Sequence, residues 1–209
     1  HRALHDYLAA SYIAEQNLDS LLVDHAAEER WREVILIAIG LVQPKQRAET
    51  LLASLLRRSD ESAASLALAG WSLAEDIQIS KELRASVRSR IVAQLDTTQE
   101  TGDFALLSGA LQDTDEPAFQ DWIGSVLSGR NIELCKRVLG TLIPGLKAEK
   151  GAAFMPLLTR MLEDTHADNA LRVQAALALA KKTASVPDGE LWRILQNARN
   201  DEDNHVRAA

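Results

Sequence analysis

The sequence predicts an all-α fold, an α-α superhelix in which antiparallel helix pairs stack as a helical solenoid. Three observations support this prediction. No segment alternates apolar and polar residues with a period of two, as a half-buried strand would. Apolar residues recur instead at helical spacing along most of the 209 residues. A pattern near the end returns about 35 residues later, and such a period is typical of solenoids.

The first part of the chain contains several predicted helices. Residues 2–16 form the first, with a stripe of Leu4, Tyr7, Leu8, the small Ser11 and Tyr12. Residues 29–42 form a helix so apolar that we expect it to be buried on most sides. Pro44 begins the next helix, at a position where a missing N–H is tolerated. A helix over 60–77 follows, with Ser59 or Asp60 as its N-cap.

The middle of the chain continues in the same way. Ser80 is the predicted cap of a helix to about residue 97, which carries Leu83, Val87, Ile91 and Leu95 on one side and Arg84, Arg88 and Arg90 on the other. Helices over 102–112 and from about residue 115 follow, and the second turns Phe119, Trp122, Ile123, Val126 and Leu127 inward. Asn131 or Arg130 begins the next helix, which Pro144 and Gly145 end.

The clearest unit of the sequence spans 155–180. Pro156 opens an apolar helix, and Asp168 is placed to cap the N-terminus of a second one. Arg172 lies one turn later, where it can pair with Asp168 or with the equivalent aspartate of a neighbouring repeat. Small residues then allow close helix packing, namely Ala175, Ala176, Ala178 and Ala180. The pattern returns over 203–209.

This order of residues resembles the HEAT repeat, in which a proline-led helix, an aspartate turn, Val-Arg and Ala-Ala follow one another. Leu171 stands where valine is usual, whereas Val206 and Arg207 match the pattern. The resemblance is best over 155–209 and implies a HEAT-like solenoid over 43–209. Solenoids bind proteins along the concave surface that one helix of each pair forms. We therefore expect protein-binding residues on that side, namely Arg172 and Arg207, with Arg84 and Arg88 as further candidates.

The composition argues against several classes of function. The net charge is −7 and the pI about 5.3, and residues 150–209 hold 8 basic and 8 acidic side chains, so no section offers the basic surface that nucleic acids require. A single cysteine, Cys135, excludes an internal disulfide and fits a cytoplasmic protein. No apolar run approaches the length of a membrane span. We expect the chain to be a monomeric fragment of a longer protein.

No residue set predicts catalysis or a metal site. Residues 140–147 nearly spell a phosphate-binding P-loop, but Leu146 separates the second glycine from the lysine, and the segment follows a helix. His1 and His5 are spaced to ligate a metal from one helix face, but a third ligand is missing. Acidic residues and histidines at 163–168 and 201–205 share an intrarepeat turn, where helix capping accounts for them. The tryptophans fall mainly on apolar stripes, although Trp71 and Trp192 are candidates for exposed anchors.

The start of the chain resembles the segment that closes the NACHT module of STAND-type regulatory NTPases. That family's motif is His-x-Thr-Phe-Gln-Glu-Tyr-Leu-Ala-Ala, followed by Trp-Arg-Glu-Val and a long apolar helix. The chain has HRALHDYLAA over 1–10 and WREVILIAIG over 31–40. It keeps His1, the Tyr-Leu-Ala-Ala segment of 7–10 and all of Trp-Arg-Glu-Val, and departs from the motif at positions 3 to 6.

The resemblance implies that 1–42 is the end of a winged-helix and helical region leading into the repeats. It also implies a parent protein that binds ATP or ADP upstream, stays inactive until its repeat region meets a ligand, and then oligomerises. His1 would contact the ADP phosphate in that parent only, so no cofactor is expected in the fragment.

The leading hypothesis is accordingly that the chain is a non-catalytic C-terminal sensor module of a bacterial NACHT NTPase. Defence signalling is one candidate role for that NTPase. Its partner would be a protein ligand or the NTPase domain of the same chain. A stand-alone HEAT-repeat scaffold is an alternative. A HEAT-like DNA glycosylase is a third hypothesis, which the acidic balance opposes.

Overall fold

The computed structural model describes residues 2–59, 62–73, 79–114, 116–129, 131–146, 151, 153–164 and 168–183. Every regular element in these ranges is helical and none is a strand, which confirms the predicted all-α class for them. The chain divides into two compact units, His1–Phe119 and Gln120–Ala209. The predicted junction between residues 42 and 43 falls inside the first unit. The solenoid arrangement stays a prediction.

The first unit contains seven helices and a 3₁₀ turn within its described residues, and α8 begins in it. They are α1 (Arg2–Glu15), α2 (Asp19–Asp24), the 3₁₀ turn (Glu29–Trp31), α3 (Arg32–Leu41), α4 (Lys45–Arg58), α5 (Ala63–Trp71), α6 (Lys81–Thr97), α7 (Thr101–Thr114) and α8 (Glu116–Ser128). The second unit continues with α9 (Ile132–Arg137), prolonged by a π-helical turn (Val138–Leu142) and a last turn (Ile143–Gly145), and with α10 (Met155–Glu163) and α11 (Asn169–Thr183).

Helix α5 is the core of the first unit. It packs against α3, α4, α6 and α7. Its residues are small or apolar, and every one from Ala63 to Gly70 except Ala64 is buried. A helix that is apolar all round is stable only where neighbours cover all of it. The composition of α5 therefore explains why four helices surround it.

Gly70 sets how closely three of these helices approach. A Cβ atom at this position would lie 2.8 Å from Ile91 Cδ1 of α6 and 3.0 Å from Ala110 Cβ of α7. Ile91 and Ala110 are both fully buried, so neither has open space to move into. The missing side chain at residue 70 is thus what lets α5, α6 and α7 meet.

Most of the predicted stripes are confirmed. The inward residues of α4 are all buried, namely Ala48, Leu51, Leu52, Leu55 and Leu56, and so are Val87, Ile91 and Leu95 of α6. Ser80 caps α6 by accepting a hydrogen bond at Oγ from the Leu83 N–H, at 3.4 Å.

The predicted N-cap of α5 at Ser59 is wrong: Ser62 holds that position. Ser59 is instead the C-cap residue of α4, where its backbone N–H and its Oγ both donate to the Leu56 carbonyl, at 3.1 and 2.6 Å. Asp60 lies outside the described residues.

Arg47 of α4 links three helices. Its Nε and Nη2 atoms donate to the Asp19 carboxylate of α2 at 2.7 and 2.5 Å, and its Nη1 donates to the Ala14 carbonyl of α1 at 2.7 Å. The hydrogen bonds to Asp19 raise the pKa of Arg47. A bidentate, part-buried ion pair of this kind fixes orientation as well as distance, so it aligns the first, second and fourth helices.

The second unit confirms the local predictions in its described residues. Asn131 caps α9 through a 3.1 Å hydrogen bond from the Leu134 N–H to its Oδ1. Asp168 Oδ1 accepts from the N–H groups of Ala170 and Leu171 at 2.9 and 3.2 Å, as predicted for the start of α11. Helix α11 packs against α10, α9 and the π-helical turn. Its alanines at 175, 176 and 178 are buried in these contacts.

The near-P-loop segment is helical. Residues 140–145 lie in the π-helical turn and in the last turn of α9, so they do not form the loop that cradles phosphate. The π-helical turn was not predicted. It comes directly before the turn with Pro144, whose absent N–H interrupts the regular α-helical pattern.

Among the described residues, no helix is long and apolar enough to cross a membrane.

The contact at Gly70 gives a direct test of the first core. We expect Gly70→Ala to lower the free energy of unfolding by about 1–2 kcal/mol, because its Cβ meets two fully buried groups. The matched control is Gly109→Ala on α7, where the nearest atom to a new Cβ is Trp71 Cζ2 at 4.0 Å. This control should raise stability by roughly 0.5–1 kcal/mol, since alanine is the better helix former. Urea titrations followed by circular dichroism measure both, and two changes of the same sign would contradict the contact.

Candidate protein-interaction site

The outer face of α1 is the largest exposed apolar feature among the described residues. The helix packs on α3 through Ala10, Ile13 and Ala14, which are all buried. The stripe predicted from the sequence is exposed, and the exposed fractions are 58% for Leu4, 49% for Tyr7, 57% for Leu8 and 61% for Tyr12. We call these four residues the α1 face.

The α1 face continues into a neighbouring groove. This groove has a volume of about 290 Å³, and it is lined by Tyr7, Ser11, Ala14, Glu15, Leu41, Gln43 and Arg47. Leu41 is 38% exposed and extends the apolar surface from α1 to the end of α3. Because Arg47 is bound to Asp19 and to the Ala14 carbonyl, the floor of the groove is fixed.

A contiguous apolar surface of this kind is unusual on a soluble helix. Single exposed leucines are common, but four large apolar side chains in one helical row form a patch. Patches of this type mark sites of protein contact, and tyrosine and leucine in rows three or four apart suit packing against another helix. The α1 face is therefore the strongest candidate for a protein-binding surface.

A second feature is a cleft of about 360 Å³ in the same unit. It is lined by Ala26, Ala27, Glu28, Glu29, Arg32, Ala64, Leu68, Trp71, Gly102 and Leu106. The Arg32 guanidinium carbon lies 3.9 Å from the centre of the Trp71 ring, in cation–π contact. Trp71 Nε1 donates to Asp113 Oδ2 at 3.1 Å, which holds the indole in place.

On the acidic rim of this cleft, Glu28 is hydrogen-bonded to neighbouring side chains. His25 Nδ1 lies 2.5 Å from Glu28 Oε1, and Arg30 Nε donates to Glu28 Oε2 at 2.7 Å. These hydrogen bonds hold the pKa of Glu28 below its ordinary value, so it is charged at neutral pH. The His25 ring also stacks on Trp31 at 4.4 Å between centroids. The stacked His25 and Trp31 rings and the two hydrogen bonds of Glu28 thus fix the segment that leads into α3.

The arginines predicted to bind a partner have different placements. Arg84 donates to the Leu73 carbonyl at 2.9 Å, and Arg84 and Arg88 are both half-buried. Arg172 is only 4% exposed and donates from Nε to the Leu162 carbonyl at 3.2 Å. It bonds an orphan carbonyl of the last turn of α10. The two partners that we predicted were Asp168 and the equivalent aspartate of a neighbouring repeat, Asp203, and Asp203 lies outside the described residues. His1 and Arg207 lie outside the described residues. The binding roles of all five stay predictions.

The other sequence candidates are placed as follows. Trp122 is buried, whereas Trp31 and Trp71 are half-buried. Trp192, His166 and the acidic residues of 201–203 lie outside the described residues. His5 is exposed on α1, and Asp6 lies 3.8 Å from Arg2 in an ion pair. In the part of the chain that the structure describes, no three metal-ligating side chains come together.

Cys135 is a buried thiol, as predicted. It is 1% exposed and its Sγ donates to the Val126 carbonyl at 2.9 Å. Burial raises the pKa of this thiol, which opposes formation of the reactive thiolate.

Comparisons of the chain with protein-family models, with curated proteins and with solved structures found no match.

Two features of the site were not predicted from the sequence. The spacing of the α1 residues indicated a stripe, but both this stripe and the row of Ala10, Ile13 and Ala14 fit a helical period. The contact between Arg32 and Trp71 joins residues on different helices, and no local pattern encodes it. The only sequence feature that indicated this contact was Trp71, which we had named as a candidate for an exposed anchor.

The placement of Arg172 predicts a structural role that can be measured. We expect Arg172→Met to lower the free energy of unfolding by about 1–3 kcal/mol, because it leaves the Leu162 carbonyl without this donor. Arg160→Met on the exposed side of α10 is the matched control, with an expected change within roughly 0.5 kcal/mol. Thermal unfolding measures both variants. Equal stability of the two would show that Arg172 has no such role.

Proposed function

We propose that the chain is a non-catalytic sensor and protein-interaction module from the C-terminal region of a bacterial NACHT-type regulatory NTPase. The observation that carries this proposal is the α1 face, four large apolar side chains left exposed on a helix whose other side is packed. The segment that resembles the NACHT family includes this helix, and Tyr7 and Leu8 belong both to the resemblance and to the face.

The energetics favour a covering partner. Full burial of a large apolar side chain is worth roughly 1.5–3 kcal/mol, and each residue of the α1 face still exposes about half of its surface or more. Covering the whole face would therefore contribute on the order of 3–6 kcal/mol before the cost of association is subtracted. A domain tethered to the same chain meets that cost more easily than a free ligand, because the tether raises its effective concentration.

In this proposal, the upstream NTPase domain of the parent rests on the α1 face, and a protein ligand acts through the repeats that follow. Nucleotide would bind only in the parent, with His1 near its phosphate. A stand-alone scaffold is the alternative, and the α1 face would then bind a separate protein. A P-loop and an acidic Walker B strand encoded upstream of His1 would favour the first proposal, and their absence would favour the scaffold.

The first test concerns nucleotide. The isolated 209-residue chain should show no measurable ADP affinity and no ATP hydrolysis, because the proposed P-loop lies in the parent. Isothermal calorimetry with ADP and a phosphate-release assay measure these properties. Micromolar ADP binding by the isolated chain would contradict the proposal.

The second test concerns the α1 face. The upstream region and this chain, produced as separate polypeptides, should form a complex that Leu8→Glu weakens by about tenfold or more, since it places a charge in the apolar contact. The stability of the isolated chain should change by no more than roughly 0.5 kcal/mol, because Leu8 is 57% exposed.

The matched control is Ile132→Glu on α9, which changes an apolar side chain of 41% exposure in the second unit. Calorimetry or analytical gel filtration gives the affinities. An unchanged affinity for Leu8→Glu, or an equal loss for Ile132→Glu, would remove the α1 face from the contact.

A further inference from the structure

We propose that the cleft between Arg32 and Trp71 is a binding site for an apolar residue that carries a free carboxylate, as the C-terminal residue of a polypeptide does. The proposal stands on contacts inside the first unit and does not depend on the proposed function. We refer to this site as the Arg32 cleft, and its lining is the set of residues given above for the cavity of about 360 Å³.

The Arg32 guanidinium is positioned by its contact with Trp71, but no acidic side chain of the described residues lies within hydrogen-bond distance of it. Its Cζ atom lies over the Trp71 ring, 3.9 Å from the ring centre, and the Arg32 side chain is 42% exposed. Its nearest acidic neighbour, Glu33, approaches only to 4.0 Å, which is beyond hydrogen-bond distance. Within the described part of the chain, the Arg32 Nε atom is buried without a hydrogen-bond partner. A buried donor without an acceptor is unfavourable, and the exposed part of the side chain remains open to a ligand.

The stacking contact prepares Arg32 for a planar anion. A guanidinium presents a rigid fork of N–H donors that matches a carboxylate with two parallel hydrogen bonds. The contact with Trp71 restricts the position of that fork, and the hydrogen bond from Trp71 Nε1 to Asp113 restricts Trp71 in turn. Less conformational freedom is then lost when the ligand binds.

The floor of the Arg32 cleft determines which kind of side chain can bind next to the carboxylate. Ala26, Leu68 and Leu106 are apolar, and no other cation lines the cleft among the described residues. Glu28 on the rim is matched by His25 and Arg30, and the remaining acid of the lining is Glu29. One guanidinium beside an apolar floor suits one carboxylate next to an apolar side chain. A polyanion would be repelled by the uncompensated charge of Glu29, and only one cation in the cleft could bind it.

The volume agrees with such a ligand. About 360 Å³ lies at the small end of ligand cavities and accommodates one aliphatic residue with its terminal carboxylate. Because the site has few polar anchors, we expect modest affinity for a single residue, with a Kd on the order of 1 mM.

The test uses N-acetyl-L-leucine as the probe and N-acetyl-L-leucinamide as its uncharged match. Titration of the ¹⁵N-labelled chain, followed through the Trp71 indole N–H signal, should give a saturable shift with the acid. The amide should bind about tenfold more weakly or not at all, and acetate should bind about tenfold more weakly than N-acetyl-L-leucine because it lacks the apolar group.

Two variants locate the site. Arg32→Gln removes the cation at a half-exposed position, and Gly102→Leu fills the cleft while keeping Arg32. Gly102 has no atom within 4 Å of an added Cβ, so this variant should fold. Both should reduce the affinity for the acid by about tenfold or more. Arg57→Gln, which removes one exposed cation outside the Arg32 cleft, should leave the affinity unchanged.

The proposal fails if the Trp71 signal does not shift, or if the acid and the amide bind alike. It also fails if acetate binds as well as the probe, or if folded Arg32→Gln and Gly102→Leu both retain the wild-type affinity.

Discussion

The close approach of three helices at Gly70 is the constraint on which the first unit depends. Without a side chain at that position, Ile91 of α6 and Ala110 of α7 reach the backbone of α5. The next residue along α5 is Trp71, and Asp113 lies one turn after Ala110. The same contact therefore brings the Trp71 indole to the Asp113 carboxylate that anchors it. Helix α3 packs on α5 and carries Arg32 over the face of the indole.

The packing of α3 also bears on what α1 exposes. Since α3 already contacts α5 on one side, α1 packs on another side of α3 with its small residues Ala10 and Ala14. Small residues allow close helix contact, and the larger residues of the other row are then turned outward. The α1 face and the Arg32 cleft are thus two consequences of how α3 is held. One is an apolar surface that suits a protein, and the other is a cleft with an apolar floor and one cation, which suits an apolar residue with a single carboxylate.

The sequence predicted the local features of the fold well. Helical spacing located α3, α4, α6 and α8, and the caps at Ser80, Asn131 and Asp168 follow from side-chain chemistry within three residues of each helix start. The start of α5 was misplaced because Ser59 and Ser62 are equally good caps by residue type. What decides between them is that Ser59 bonds the end of α4. The π-helical turn of 138–142 had no recognised local signal.

Long-range features were less predictable. An apolar stripe shows that a helix is amphipathic, but which row is buried depends on the neighbours, and α1 has two rows that fit. Arg172 illustrates the same limit, because the Asp168 side chain and the Leu162 carbonyl both lie near it in sequence. The carbonyl at the end of α10 needs a donor, whereas the Asp168 Oδ1 atom is already bonded to two N–H groups. Pairing between distant helices, such as Arg32 with Trp71, requires the folded arrangement.

We propose that the α1 face is covered when the chain works as a module of the proposed parent protein. The chain contains only two tyrosines, Tyr7 and Tyr12, and both belong to this face. Tyrosine-specific labelling with mass-spectrometric detection of their peptide therefore reports on the face alone. The account predicts ready labelling of both in the isolated chain and severalfold slower labelling in the parent. Equal labelling rates in the two proteins would contradict it.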